Sequence, residues 1–534
     1  MNPRAAEVFR VSQRDRVGST TVAERIESAS QLALLRAKVL IGAADPAKRV
    51  AAAQALEGNL LEKTGSYDAA ERTSRAAYFA AARAGAWDVA TTAAVDLIYI
   101  IGHRKGQHGE ALVWSEHAEV ALVHGGDRNG LAESSRLGNL ATAHVGAGAY
   151  VEALRLNEQA LAIKEALLGG DHPDVARVLN NLALTHYAQG SYTTAQALHQ
   201  RTLAIRERAL GSDHLDVAES LNNLAAAYHR TGANLQAQAL YERSLAIRER
   251  AYGPTHPEVA NSLNSLGTAL LTIGRPAEAR GYLERALAIY EGMARPEYAR
   301  AAAALGNLAS VRLAEADLPG AVAAQSRAVT MLVAVRGADD PGVARARYNL
   351  GVALQRLGEL ELAERQFARA WAIRRARLGE DHPDVALTLA ALADLERERG
   401  ACSHAREMLT RALDIHARGD PPAHANHAAA QVLLGDAWRC EGDAVRAREA
   451  YARGLALLDA GGQSRHPQRT LAHAGLGHAA LLAGDVEVGV AELAEALKLA
   501  AAAPIDPGSL GAARMALARA LWPGQPERAR ELAA

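Results

Sequence analysis

The chain has 534 residues, with 59 basic against 60 acidic side chains, 49% hydrophobic residues, 4% aromatic residues and 2 cysteines. This composition and a mean hydropathy of -0.10 exclude wholesale disorder, and a net charge of -1 leaves no overall field to draw the chain to nucleic acid or an anionic membrane. At roughly 100–200 residues per compact domain the length calls for three or four globular domains, unless the chain grows by repetition.

Residues 1–21 show no period, and their arginines are followed by no apolar stretch, so they predict a mobile tail and not a secretion signal. No stretch approaches the ~18 uncharged apolar residues of a membrane span, and the most lipid-like run, AAVDLIYII, is short and carries Asp96. The expectation is a cytoplasmic protein without a membrane. Two cysteines, Cys402 and Cys440, are too few for a disulfide framework or a four-thiolate zinc site, and are expected as free structural thiols in a reducing cytosol. Residues 22–106 predict a capping helix at 22–42 followed by divergent helix pairs, in which Gly65 and Ala70 fall one residue out of phase with Gly106 and Ala111.

From there a strict period takes over. Steps of 42 residues from Leu140 meet leucine at 182, 224, 266, 308, 350, 392, 434 and 476, always followed by Ala or Gly. The same step from Gly106 meets glycine at every position to Gly484 except Ala316, and five residues after each comes a small residue, from Ala111 to Gly489. Three columns holding register over so long a stretch define a tandem array at 107–503, with an incomplete repeat at 504–534. Within the unit DVARVLNNLALTHYAQG–SYTTAQALHQRTLAIRERALG, apolar residues recur at three- and four-residue intervals on both sides of Gly190, so each unit is two amphipathic helices. Gly190 is placed for the left-handed C-terminal turn, Pro173 for a first helical turn and Asp174 near the positive end of the helix dipole. Neither helix can bury its apolar stripe alone, so the units must stack into a solenoid with a concave and a convex face. An open solenoid end exposes apolar surface, which predicts a weak homodimer through the C-terminal end.

This pattern resembles the tetratricopeptide repeat: Leu182-Ala183, Tyr187, Gly190, Ala195 and His199 follow the family motif, with a departure at Thr202, and Leu350-Gly351, Gly358, Ala363, Phe367 and Ala370 follow it more closely. The 42-residue period, HPDVA before the first helix and LAIRE in the second are similar to the repeats of kinesin light chains and their bacterial relatives. The resemblance implies an all-α fold, a right-handed superhelix of antiparallel helix pairs, that binds a protein or peptide ligand without catalysis or cofactor. The ALARALW segment near the C-terminus also resembles repeat regions that follow kinase domains in large bacterial Ser/Thr kinases. A sensor or adaptor that regulates such a kinase or a signalling NTPase is therefore the alternative function.

First-helix positions just before the leucine column should face the groove. They read Asn139, Asn181, Asn223, Ser265, Asn307, Asn349, Ala391, Leu433 and Gly475, and the column one residue earlier holds Asn180, Asn222 and Asn264. Asparagine costs a few tenths of a kcal/mol on a helix relative to better formers, so its repetition calls for an offset. A carboxamide both donates and accepts, and a row of them can grip the main chain of an extended peptide. In the family, asparagines matching the first column contact peptide backbone, which gives that role by resemblance to Asn139, Asn181, Asn223, Asn307 and Asn349. Hydrogen bonding between neighbouring repeats is the alternative. Since Ala391, Leu433 and Gly475 have no polar side chain, the expected groove spans residues 135–357, with Arg177 and Arg345 one turn before Asn181 and Asn349, where they either meet acidic groups or carry solvated charge.

Other constellations read as structure. His172, His214, His256, His382, His424 and His466 recur in register, with Tyr298 and Asp340 in the gaps. Neighbouring helices stand about 8–10 Å apart, whereas zinc ligands lie about 2 Å from one ion, so a turn role is expected and no metal site. Arg206, Arg208, Arg248 and Arg250 alternate with Glu207 and Glu249, a compensated surface and not a nucleic-acid track. Asp394, Glu396 and Glu398 alternate with Arg397 and Arg399, again a self-paired surface. No Gly-Lys dipeptide, HRD, DFG, HExxH or GxSxG motif occurs, so the chain is not expected to be an enzyme.

Overall fold

The computed structural model describes residues 45–63, 66–127, 130–293, 298–418, 424–460, 466–500 and 507–533. The expected tail at 1–21 and capping helix at 22–42 lie outside the described residues. Every regular element among the described residues is helical, and the chain divides into two compact units, Met1–Gly292 and Met293–Ala534.

Among the described residues of the first unit six helix pairs follow one another: Pro46–Lys63 with Tyr67–Arg83, Trp87–Leu97 and its π-helical continuation Ile98–Arg104 with His108–Gly125, Leu131–Gly146 with Tyr150–Leu168, Pro173–Gln189 with Tyr192–Leu210, Leu215–Arg230 with Asn234–Tyr252, and Pro257–Thr272 with Pro276–Glu291. The second unit also holds six: Tyr298–Ala314 with Leu318–Arg336, Pro341–Leu357 with Leu360–Leu378, Pro383–Glu398 with Cys402–Arg418, His424–Cys440 with Ala444–Ala460, Pro467–Leu482 with Val486–Ala500, and Pro507–Leu521 with the short Pro526–Ala533. In both units successive first helices also meet one another, whereas second helices make no comparable contacts. The first helices therefore line the inner, concave side of each stack.

The periodic residues explain the pairing. The small column after the turn is fully buried from Ala111 through Ala153, Ala195, Ala237, Ala279, Ala321, Ala363 and Ala405 to Ala447, each at 0% exposure, which lets the paired helices approach closely. Gly190 closes its helix at φ 92°, and the N–H of Ser191 reaches back to the carbonyl of His186 at 2.8 Å. Ala316, the one exception in that glycine column, takes the same left-handed turn at φ 60°. At the start of the first helices, Nδ1 of His172, His214, His256, His382 and His466 accepts the N–H two residues on at 3.1–3.2 Å. Asp340 does the same for Gly342 at 2.7 Å. These histidines are helix caps; the side chain of His424 lies outside the described residues. Among the described residues no group of three His, Cys, Asp or Glu side chains stands close enough to hold a metal ion.

Three features bear on expectations read from the sequence. The helix Leu318–Arg336 is long and apolar enough to cross a membrane by length and composition, although it holds Arg327. It serves as a repeat helix, burying Ala321, Ala324, Ala328, Val329 and Leu332 against its neighbours. Arg206 and Arg248 are not surface residues paired with the adjacent glutamates. Arg206 donates to the carbonyl of Asp216 at 2.9 Å and to Ser220 Oγ at 2.8 Å, and Arg248 to Ser262 Oγ at 2.7 Å. Arg374 repeats the arrangement with the carbonyl of Asp384 at 3.0 Å and Thr388 Oγ1 at 2.6 Å. Each buried guanidinium pins the end of one repeat to the first helix of the next. Glu207 and Glu249 pair outward instead, with Arg243 and Arg285 one repeat further on, both at 2.6 Å. Thirdly, Cys402 and Cys440 are not free thiols: they are joined in a disulfide, with their Cα atoms 6.1 Å apart. Stacking places the start of one second helix beside the end of the next first helix, a proximity invisible in a spacing of 38 residues.

Candidate concave binding surface

The concave face of the first unit carries the asparagine rows. Asn139 Nδ2 donates to the carbonyl of Val95, on the preceding first helix, at 2.9 Å. Asn223 Nδ2 donates to Oδ1 of the buried Asn180, again one repeat back, at 3.0 Å. These three amides therefore tie successive first helices together. Asn222 is half-buried and its Oδ1 is buried without a partner. Asn181 is half-buried with no side-chain partner among the described residues, while its carbonyl accepts from Thr185 at 2.9 Å. Asn264 is half-buried, and its carbonyl accepts from Thr268 at 2.9 Å. Arg177 is exposed and faces Asp174 of its own helix at 3.7 Å.

In the second unit Asn307 is half-buried, whereas Asn349 and Arg345 are exposed, with no side-chain hydrogen bond or ion pair among the described residues. The developed cavity of this unit lies beyond them. A groove of about 1020 Å³ runs along the first helices, from Tyr348, Val352 and Gln355 past Ala390, Ala391 and Leu433 to Gly475 and His478. Ala391, Leu433 and Gly475, which stand at the register of the asparagine column, line this groove, whereas Asn307 and Asn349 do not. This cavity continues past residue 357, where the groove expected from the sequence ends. At these positions the groove has a floor of small and aliphatic side chains in place of carboxamides.

The groove's rim is charged but balanced. Arg397 pairs with Asp394 at 2.6 Å, and Gln355 donates to Asp394 at 2.8 Å and to Glu398 at 2.9 Å. Arg439 pairs with Asp436 at 3.2 Å, and the Tyr451 hydroxyl donates to the same carboxylate at 2.8 Å. Burial, assisted by the Asp436 charge, pushes the Tyr451 hydroxyl well above its usual range, so it stays a donor. The carboxylates and guanidiniums of the 394–399 segment do self-pair, and Asp394, Arg397 and Glu398 among them also form one wall of the groove. Deeper in, His416 is buried with neither ring nitrogen hydrogen-bonded, and it stacks on His427 at 6.1 Å between ring centroids. Burial first, and the neighbouring His427 second, hold its pKa down to about 4, so the ring is neutral at neutral pH. Gln468 Oε1 and Arg439 Nε are likewise buried without partners beside the groove.

A family model described as tetratricopeptide repeat matches residues 135–208, 174–248, 216–292, 300–376 and 348–418, together more than half of the chain. The protein belongs to the tetratricopeptide-repeat family. Its repeats are similar to those of kinesin light chains. A Podosopora anserina putative kinesin light chain with nearly identical TPR-like repeats is 26% identical over 39% of this chain and 98% of that one, with a TM-score of 0.35. BtubC (BKLC) from P. vanneervenii is 24% identical over 44% of this chain and 92% of that one, with a TM-score of 0.38. The APC/C hetero-tetramer Cut9-Hcn1 is 14% identical over 93% of this chain and 94% of that one, with a TM-score of 0.40. No curated protein matches the sequence.

Proposed function

We propose that this chain is a non-catalytic scaffold that captures a segment of a partner protein on the concave faces of its repeats. The observation that carries this reading is the groove of the second unit, lined by the same register column that presents asparagines in the first unit. Its floor of Ala390, Ala391, Leu433 and Gly475 suits apolar side chains, and its rim of paired charges adds little net field. The segment is therefore selected mainly by shape and apolar contact, with the rim setting its register. In the same reading Asn181 and Asn349, whose amides have no partner among the described residues, contact the main chain of a bound segment. Asn139, Asn180 and Asn223 hold the repeats in place behind them.

The test is affinity capture from a host lysate with the full chain, comparing wild type with Ala391→Trp/Leu433→Trp, which fills the groove, and with Asn181→Ala/Asn349→Ala. Equal helicity and melting are established first. A partner lost on groove filling places capture in the second unit; one lost with the asparagine pair assigns them to it. Identical partners from all three proteins would overturn the reading and direct attention to the convex faces.

A further inference from the structure

The two cysteines occupy a defined joint between repeats. Cys402 is the first residue of the second helix Cys402–Arg418, and Cys440 the last residue of the following first helix, His424–Cys440. The equivalent joint five periods earlier is made by Tyr192 and Arg230, also 38 residues apart, where the guanidinium donates to the phenol oxygen and lies 4.7 Å from the ring centroid. The joint is thus a built inter-repeat contact, and both cysteines of the chain fall on it. We infer that Cys402 and Cys440 form a reversible, oxidant-driven staple that locks together two of the repeats that line the groove.

The environments of the two thiols differ in a way that orders the chemistry. Cys402 is buried at 8% exposure at a helix N-terminus. Cys440 is exposed at a helix C-terminus. With glutathione disulfide as oxidant, the exposed Cys440 thiolate attacks one of its sulfurs. This gives a mixed disulfide and expels one glutathione thiolate. The Cys402 thiolate then attacks Cys440 Sγ, forming the intramolecular bond and expelling the second glutathione. Two protons and two electrons leave the protein, and one disulfide is reduced to two thiols.

The joint does not depend on the bond for its alignment. One turn along from Cys402, Arg406 reaches Glu441 at 3.4 Å and covers the Trp438 ring at 4.8 Å, with Arg446 also over that ring at 4.6 Å. These contacts keep the thiols opposed after reduction, which makes the staple reversible. What oxidation removes is the freedom of the joint to open. Arg397 and Glu398 precede Cys402 by a turn, and Arg439 precedes Cys440 directly, so the locked joint carries one rim of the groove. This holds whatever segment the groove takes.

The experiment is hydrogen exchange by mass spectrometry on the full chain, equilibrated in reduced or oxidised glutathione and then alkylated. The expected result is a monomer in which both cysteines resist alkylation after oxidation and both react after reduction. Amides of residues 395–405 and 436–446 should then exchange more slowly in the oxidised protein, by at least about tenfold. Cys440→Ser, a change at an exposed position, and Cys402→Ser/Cys440→Ser should show no dependence on redox state. Alkylation of both cysteines in the oxidised monomer, or a bond formed only between molecules, would overturn the pairing. A bond that forms without slowing exchange at the joint would overturn the staple.

Discussion

Removing the guanidinium of Arg248 should loosen the junction between two repeats of the first unit, and the size of the effect can be worked out from its contacts. Arg248 is 8% exposed and donates to Ser262 Oγ at 2.7 Å and to the carbonyl of Glu258 at 3.4 Å, while Ser262 is fully buried. Arg248→Met keeps most of the aliphatic stem and deletes the charge. A hydrogen bond to a charged group contributes about 1.5–3 kcal/mol, and part of that loss is returned because no guanidinium has to be desolvated. The expected cost is about 2 kcal/mol. Ser262→Ala instead leaves the buried charge one partner short, at about 2–3 kcal/mol. If the two groups act as a pair, Arg248→Met/Ser262→Ala should cost less than the sum by about 1.5–3 kcal/mol. Because a solenoid need not unfold in one step, the assay is native-state hydrogen exchange of the amides in Pro257–Thr272, which reports opening of that junction. Arg250→Met is the control: its exposed pair with Asp213 at 2.8 Å should be worth no more than about 1 kcal/mol. Single variants that add within about 0.5 kcal/mol would refute the pairing of Arg248 with Ser262.

Asp96 sits half-buried in the first unit, 3.5 Å from Asn59 Nδ2, and burial pushes its carboxyl up from 3.8 to about 6. The folded protein therefore holds this proton more tightly than the unfolded chain: the stabilisation is full below about pH 4 and lost as pH rises to about 6. Asp96→Asn should stabilise the fold at pH 7.5 by up to about 3 kcal/mol and leave it unchanged at pH 3.5; equal effects of the substitution at both pH values would contradict this. Ala316→Gly should relieve a left-handed alanine costing about 1–2 kcal/mol, against about 0.5–1 kcal/mol of added chain entropy. The net gain of about 0.5–1 kcal/mol predicts slower exchange in the turn before Leu318–Arg336, and faster exchange would count against it. Gly351→Ala would bring a methyl to 2.6 Å from the fully buried Phe367 ring, at a cost of about 1–3 kcal/mol, read as a lower melting temperature. A melting temperature equal to wild type would mean that the ring can move.

The repeat, the helix pairs, the buried alanine column, the glycine turn at Gly190 and a turn role for the histidine column were all legible in the sequence. Each depends on a partner at a fixed, short separation, and a 42-residue period brings that partner back in the same place each time. The groove was legible only in part. The column through Ala391, Leu433 and Gly475 was placed on the concave side, but whether a missing carboxamide means a missing site or an opened cavity depends on what stands opposite. Arg206 and Arg208 mark the same limit: they are alike in chemistry and two residues apart, yet Arg206 is buried against the next repeat while Arg208 faces Asp171 in solvent at 2.8 Å. The pairing of Cys402 with Cys440 crosses from one repeat to the next at a separation that is no multiple of the period. Local periodicity determines which residues lie on one stripe of a helix; only stacking, which fixes the rotation and rise of each repeat on the last, decides which of those residues meet.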